Sequence, residues 1–314
     1  MKDKLQNLPA SVRQRLLNLS RERKQEFQNT LTRYGMERLL YRLAESRHHN
    51  LFTLKGAMLF SIWGGDPHRA TRDIDLLGRG ENSIEHLEEI FRDICRAQVE
   101  EDGIEFLPET IRGLRIREDQ QYEGIRIELT ATLAGARISM QIDIGFGDVV
   151  TPAPVEVTLP TLLDFPAPKL RAYPRETVIA EKFQALVILG MTNSRMKDFY
   201  DIWSLSHDFE FDGAILSQAI NATFNRRETP LPIEPLLALT TDFSEDVIKT
   251  NQWKAFLRKG KLETEGKVFS EIIDTLRDFL MPPALAAAAN DAFEMVWLPQ
   301  GPWRLKKRST KSNP

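Results

Sequence analysis

The sequence predicts an α+β (mixed α/β) chain: a small mixed sheet with flanking helices, followed by a mainly helical C-terminal domain. Three observations predict it. Apolar residues recur at helical spacing through residues 8 to 47. Two consecutive runs within residues 104 to 149 alternate with a period of two. A proline-dense stretch, 151 to 174, then precedes sequence that is again mostly helical. The expected domains are 1–160, with a core of about 50–150, and 161–314, ending in a basic tail, RLKKRSTK.

Leu8 and Pro9 precede Val12, Leu16, Leu17 and Leu19, and a second helical pattern runs through Phe27, Leu31, Met36, Leu39, Leu40 and Leu43. The extended stretch LFTL then meets Lys55-Gly56-Ala57, and MLFSIW reads as a helix that Gly64-Gly65 stops. DIDLL reads as a strand and GRGEN as a turn. In SIEHLEEIFRDICRA, Ile84, Leu87, Ile90, Phe91 and Ile94 share one helix face, and Asn82 and Glu85 have capping-box spacing. EGIRIELTATL and RISMQIDIGF, joined at Gly135, are the two alternating runs and make an antiparallel pair. Their polar faces carry Arg126, Glu128, Thr130 and Thr132 on one, and Arg137, Ser139, Gln141 and Asp143 on the other. Residues 151–174, with six prolines, read as a linker.

Composition excludes several classes. Lys+Arg 42 against Asp+Glu 45 leaves a formal charge of −3, so no global basic field points to nucleic acid. A single cysteine, Cys95, allows neither an internal disulfide nor a cysteine metal cluster. The charged N-terminal segment reads as neither a signal peptide nor a membrane span, so the expected setting is cytoplasmic with no membrane partner.

Chemistry concentrates in RATRDIDLLGRG. Residues two apart on a strand share a face, so Asp73 and Asp75 project together while Ile74 and Leu76 pack inward. Paired carboxylates repel unless a cation or a proton relieves them. They form a metal site, a strand end whose solvated face is acidic, or a pair neutralised by Arg69, Arg72 or Arg79. Asp143, the only acid on the polar face of its strand, would complete a hard oxygen site suited to Mg²⁺, unless it faces Arg126 or Arg137 as a satisfied acid. Gly56 permits close backbone approach, and a helix opening there would offer N–H groups to a phosphate. Lys182 has Val178, Ile179, Ala185 and Leu186 as helix neighbours, so it either snorkels to solvent or reaches a buried anion. Asp198 and Asp201, spaced i, i+3, form with Arg195 and Lys197 either part of a site or a local ion-pair cluster.

Together these residues resemble the nucleotidyltransferase superfamily that shares a fold with DNA polymerase β. Its pattern is a hydrophobic-Gly-Gly/Ser turn opening a helix, D-h-D on the next strand, and a third acid on a later strand. The counterparts are Gly56-Ala57, Asp73-Ile74-Asp75 and Asp143. Within it the chain looks most like the AbiEii-type toxins of type IV toxin–antitoxin and abortive-infection systems. That likeness rests on LKGAMLF, RATRDIDLL, AEKFQALV and SRMKDFYDIW, with WKAFLRK and LRDFLMPP towards the end, over roughly 50 to 282. One departure is Ala57, where the family has Gly or Ser, so no serine hydroxyl contact is available.

The resemblance implies a Mg²⁺-dependent nucleotidyltransferase toxin, with Mn²⁺ as the alternative ion, transferring NMP from an NTP to an acceptor hydroxyl with release of pyrophosphate. It implies metal and nucleotide binding by Asp73 and Asp75. Asp143 would complete the metal site or help deprotonate the acceptor. Lys182 would neutralise triphosphate charge, and Asp198 would close the cleft from the helical domain. Lys55, Gly56, Ala57, Thr71 and Arg72, with Arg69, are the residues implied to meet phosphates. The implied partners are a pyrimidine NTP, the 3′ end of tRNA and a cognate antitoxin. A local track of Arg69, Arg72, Arg79, Arg195, Lys197 and the tail would serve RNA. Two rivals remain: a D-x-D sugar-nucleotide glycosyltransferase, and a catalytically degenerate nucleotide-binding regulatory module.

Overall fold

The computed structural model describes residues 7–64, 71, 73–119, 122–234 and 236–306. These divide into a sheet-bearing unit, residues 1–147 with 154–173, and a helical unit, residues 148–153 with 174–314.

In the first unit Asn7 caps α1 (Leu8–Glu22), its side chain accepting from Ala10 N at 3.1 Å, with Pro9 in the opening turn where no amide partner is needed. After it comes α2 (Phe27–Glu45). A seven-stranded sheet follows, formed by β1 (Phe52–Lys55), β2 (Asp73–Gly78), β3 (Glu105–Asp119), β4 (Tyr122–Leu133), β5 (Ala136–Phe146), β6 (Val155–Thr158) and β7 (Lys169–Ala172). Its order is β3-β4-β5-β2-β1-β7-β6, with parallel pairs β2/β5 and β1/β7 and the rest antiparallel. The expected mixed sheet and the expected β4/β5 hairpin are both present. Ala134 (φ 47°) and Gly135 (φ 80°) form its two-residue turn, whose left-handed pair matches the twist of the strands.

Ile125, Ile127 and Leu129 of β4, Ile138, Met140, Ile142 and Ile144 of β5, and Ile74 and Leu76 of β2 are all buried, the apolar half of each alternation. α2 lies against β5, and α4 (Ile84–Cys95) packs on β3 with Leu87, Ile90, Phe91 and Ile94 buried. The cap of α4 is Ser83, accepting from His86 N, rather than the expected Asn82–Glu85 box. The helix begins one residue later, which leaves Glu85 in the first turn facing the positive end of the helix dipole.

The expected linker also differs: 151–174 contributes β6 and β7, so the sheet unit runs to Tyr173, whose amide bonds Leu54 O at 3.0 Å. Pro154, Pro160 and Pro168 bracket these two short strands without entering them, which is where proline is tolerated beside a sheet.

The second unit holds α5 (Arg175–Leu189), α6 (Met196–Asp208), α7 (Gly213–Arg226), α8 (Thr241–Glu245), α9 (Val247–Gly260) and α10 (Phe269–Ala289). A small sheet of β8 (Phe211–Asp212), β9 (Met295–Trp297) and β10 (Trp303–Leu305) was not foreseen. Trp297 and Trp303 pack on Phe279, and their indole N–H groups donate to Ser206 O at 2.7 Å and Phe279 O at 3.1 Å. Among the described residues no helix is long and apolar enough to cross a membrane.

Candidate active site

The polar face of the sheet, opposite the core, carries the acids. Parallel pairing of β2 with β5 sets Asp75 beside Asp143 and Asp73 beside Gln141. One carboxylate oxygen from each of Asp73, Asp75 and Asp143 lies within 4.8 Å of the others. Asp143 is buried, while Asp73 and Asp75 are half-buried and reachable from solvent. Three carboxylates so close form a hard-oxygen donor set that fits a divalent cation, and like charges at this separation call for positive charge beside them.

Each acid is held by its neighbours. Thr71 Oγ1 donates to Asp73 Oδ1 at 2.6 Å. Arg126, opposite Asp143 on β4, donates from Nε to Oδ1 and from Nη2 to Oδ2, both at 2.7 Å. That fork raises the guanidinium pKa, through the Asp143 bonds first, with the charges of Asp143 and Asp73 adding to it. So Asp143 both joins the triad and is satisfied by Arg126, combining two readings that the sequence left as alternatives.

Asp75 is set by Gly56. At φ +74° Gly56 occupies the left-handed region, and a Cβ placed there would lie 1.9 Å from Asp75 Oδ2. Only glycine allows the chain this close to the carboxylate. Gly56–Met58 is a 3₁₀ turn, not the first turn of an α-helix, and it runs into the short α3 (Leu59–Gly64). Lys55, at the end of β1, is buried and paired in register with Asp75.

A second cluster lies within the helical unit. Lys182 on α5 reaches Asp198 Oδ1 at 2.7 Å and Asp201 Oδ2 at 2.8 Å on α6, and Arg195 Nε meets Asp198 Oδ2 at 2.7 Å. Both aspartates are fully buried. The lysine therefore reaches buried anions rather than snorkelling, and Arg195, expected on an RNA-facing track, is bonded to Asp198.

Of the expected site residues, Lys55, Gly56, Ala57, Thr71, Asp73, Asp75 and Asp143 belong to the sheet unit, and Lys182 and Asp198 to the helical unit. Arg69, Arg72 and the tail beyond Lys306 lie outside the described residues. The sequence offers Arg126 only as a neutralising partner of Asp143. Its place on the polar face of the β4 alternation was the signal that it shares the site.

No curated protein matches the chain. Two solved structures are similar: a candidate nucleotidyltransferase from H. pylori, at 15% identity and TM-score 0.45 over 84% of this chain and 96% of that one, and JHP933 from Helicobacter pylori, at 14% identity and TM-score 0.46 over 84% of this chain and 94% of that one. At TM-scores below 0.5 these likenesses leave the assignment to the family comparison. Residues 38–281 match the model of the nucleotidyl transferase AbiEii toxin of type IV toxin–antitoxin systems. The chain belongs to the AbiEii family and is a nucleotidyltransferase.

Proposed function

We propose that this nucleotidyltransferase moves a nucleoside monophosphate from an NTP, a pyrimidine nucleotide in the favoured case, onto the 3′-terminal hydroxyl of tRNA, which can then no longer be charged, so that translation stops. Family membership implies a nucleotide substrate and an antitoxin partner. The observation that carries the reading is the convergence of Asp73, Asp75 and Asp143 within 4.8 Å beside the Gly56 turn.

Asp73, Asp75 and Asp143 would hold Mg²⁺, or Mn²⁺ in its place, and the bound ion would supply charge stabilisation to the phosphoryl oxygens. The chain's own residues do the positioning. Thr71 fixes the Asp73 carboxylate, the Gly56 backbone fixes Asp75, and Arg126 fixes Asp143. With the α-phosphate and the attacking hydroxyl held in line, orientation and charge stabilisation carry most of the rate. Lys55, Gly56, Ala57 and Thr71, with Arg72, are assigned to the phosphates. From the helical unit, Lys182 is assigned as a cation for triphosphate charge, oriented by Asp198.

The test is transfer of label. Purified protein, Mg²⁺, bulk tRNA and each α-³²P-labelled NTP in turn are compared with Asp73→Ala, and with tRNA whose 3′ diol has been oxidised by periodate. Label on intact tRNA, lost with the variant and with oxidised tRNA, is expected. Label on the protein itself would keep the chemistry and replace the acceptor. Turnover of UDP-sugars instead would favour the glycosyltransferase, and no transfer by folded protein would favour the regulatory module.

A further inference from the structure

One row of paired positions crosses four strands of the sheet: Lys55 on β1, Asp75 on β2, Asp143 on β5 and Arg126 on β4. Cross-strand partners share a face, so the two carboxylates are bracketed by two cations. Asp143 is the more enclosed of the acids, at 8% exposure, and both of its oxygens are taken by Arg126 at 2.7 Å. The Arg126 side chain is 31% exposed, so the guanidinium has room to leave. The guanidinium therefore competes with an incoming ion for Asp143, whose oxygens keep only their remaining lone pairs for it.

The charges point the same way. A bare dication would sit beside the Arg126 guanidinium, which is bonded to Asp143. The oxygens of a triphosphate arriving with the ion would offer the guanidinium a new bidentate partner.

Resting on the function proposed above, we infer that Arg126 is a positioning residue that occupies the Asp143 carboxylate, keeps the triad from capturing a divalent ion on its own, and releases Asp143 when ion and nucleotide enter together. A guanidinium that served only to stabilise the strand pair would behave in the opposite way. Its removal would disorder Asp143 and weaken ion binding.

The experiment is Mn²⁺ binding to the full chain without nucleotide, read from the EPR signal of the free ion, for wild type, Arg126→Met, Arg126→Lys, Asp73→Asn and the double variant Arg126→Met/Asp143→Asn. Unfolding temperatures are taken on the same samples. Arg126→Met should bind Mn²⁺ about tenfold more tightly or better, because a unit charge a few ångströms from the ion is gone. Arg126→Lys, which keeps the charge but loses the fork, should fall between, and Asp143→Asn should abolish the gain. Folded Arg126→Met binding no more tightly than wild type overturns the inference. If Arg126→Met does not fold, Arg126→Lys decides: tighter binding supports it and unchanged binding overturns it. Mn²⁺ binding that is absent from both wild type and Arg126→Met, or indifferent to Asp73→Asn, removes the metal site itself and with it the proposed function. That result is distinct from unchanged affinity at a working triad.

Discussion

Gly56→Ala separates the two things that Gly56 does. The first is backbone: at φ +74° an alanine sits in the left-handed region, which costs about 1 kcal/mol. The second is space. The new Cβ would lie 1.9 Å from Asp75 Oδ2 and 2.5 Å from its Cγ. Contact is restored only when the carboxylate retreats by about 1 Å or more, and a misplacement of that size at a reacting centre costs about 100-fold in rate. Gly135→Ala is the matched control, with φ +80° and nothing within 4 Å of its Cβ. Gly135→Ala should lose about 1 kcal/mol in urea unfolding, the strain of the left-handed backbone alone, and Gly56→Ala should lose more, because its Cβ would also lie 2.7 Å from Asp75 Cβ. Only Gly56→Ala should lose Mn²⁺ affinity measured with nucleotide present and, in the labelled-nucleotide assay, about two orders of magnitude in transfer rate. Wild-type ion binding by Gly56→Ala, or an equal loss in Gly135→Ala, would refute the idea that Gly56 places the Asp75 carboxylate.

Three further outcomes follow from buried charge. Burial raises the Glu37 carboxyl from 4.5 to about 7, against the pull of Arg38 and the Leu162 amide. The folded state then holds this proton more tightly than the unfolded state, so stability falls as pH rises from about 4.5 through about 7, by roughly 3 kcal/mol from this group. Glu37→Gln should lack that slope, and a wild-type-minus-variant difference in urea unfolding that is the same at pH 4 and pH 8 would sink the assignment. Asp102→Asn removes the charge paired with buried Arg42, whose guanidinium bonds both Asp102 oxygens at 2.7 and 3.1 Å, and should cost about 3 kcal/mol of stability without changing the transfer rate per folded molecule. Lys182→Met leaves fully buried Asp198 and Asp201 without their shared cation and should destabilise by about 3–5 kcal/mol in the same measurement. Activity lost in that variant therefore reports on its role only per folded molecule, whereas Asp73→Ala, at a half-buried position, should leave the unfolding midpoint nearly unchanged.

What the sequence exposed, and what it hid, divides along local and non-local physics. The alternations of β4 and β5 were legible because one face of each is buried, and a register slip by one residue would turn every apolar side chain outward. The same alternation put Asp73, Asp75 and Asp143 on polar faces. Their convergence depends on the parallel β2/β5 register, which no local pattern encodes. β6 and β7 were hidden because each has four residues in a proline-rich stretch, too short for periodicity to outweigh the turn signals around it. On α5 the apolar neighbours of Lys182 were visible, but its choice between solvent and a buried anion turned on α6, packed against it in three dimensions. Arg126 shows how closely core and site are coupled. The two-residue turn at Ala134–Gly135 sets the β4/β5 register and so decides that an arginine, rather than Glu128 two positions along, faces Asp143. Shifting the pairing by two residues would keep every apolar residue in the core and place a fourth carboxylate against the triad. The core alone does not forbid that arrangement; the turn does, and the charge row across the sheet follows from it.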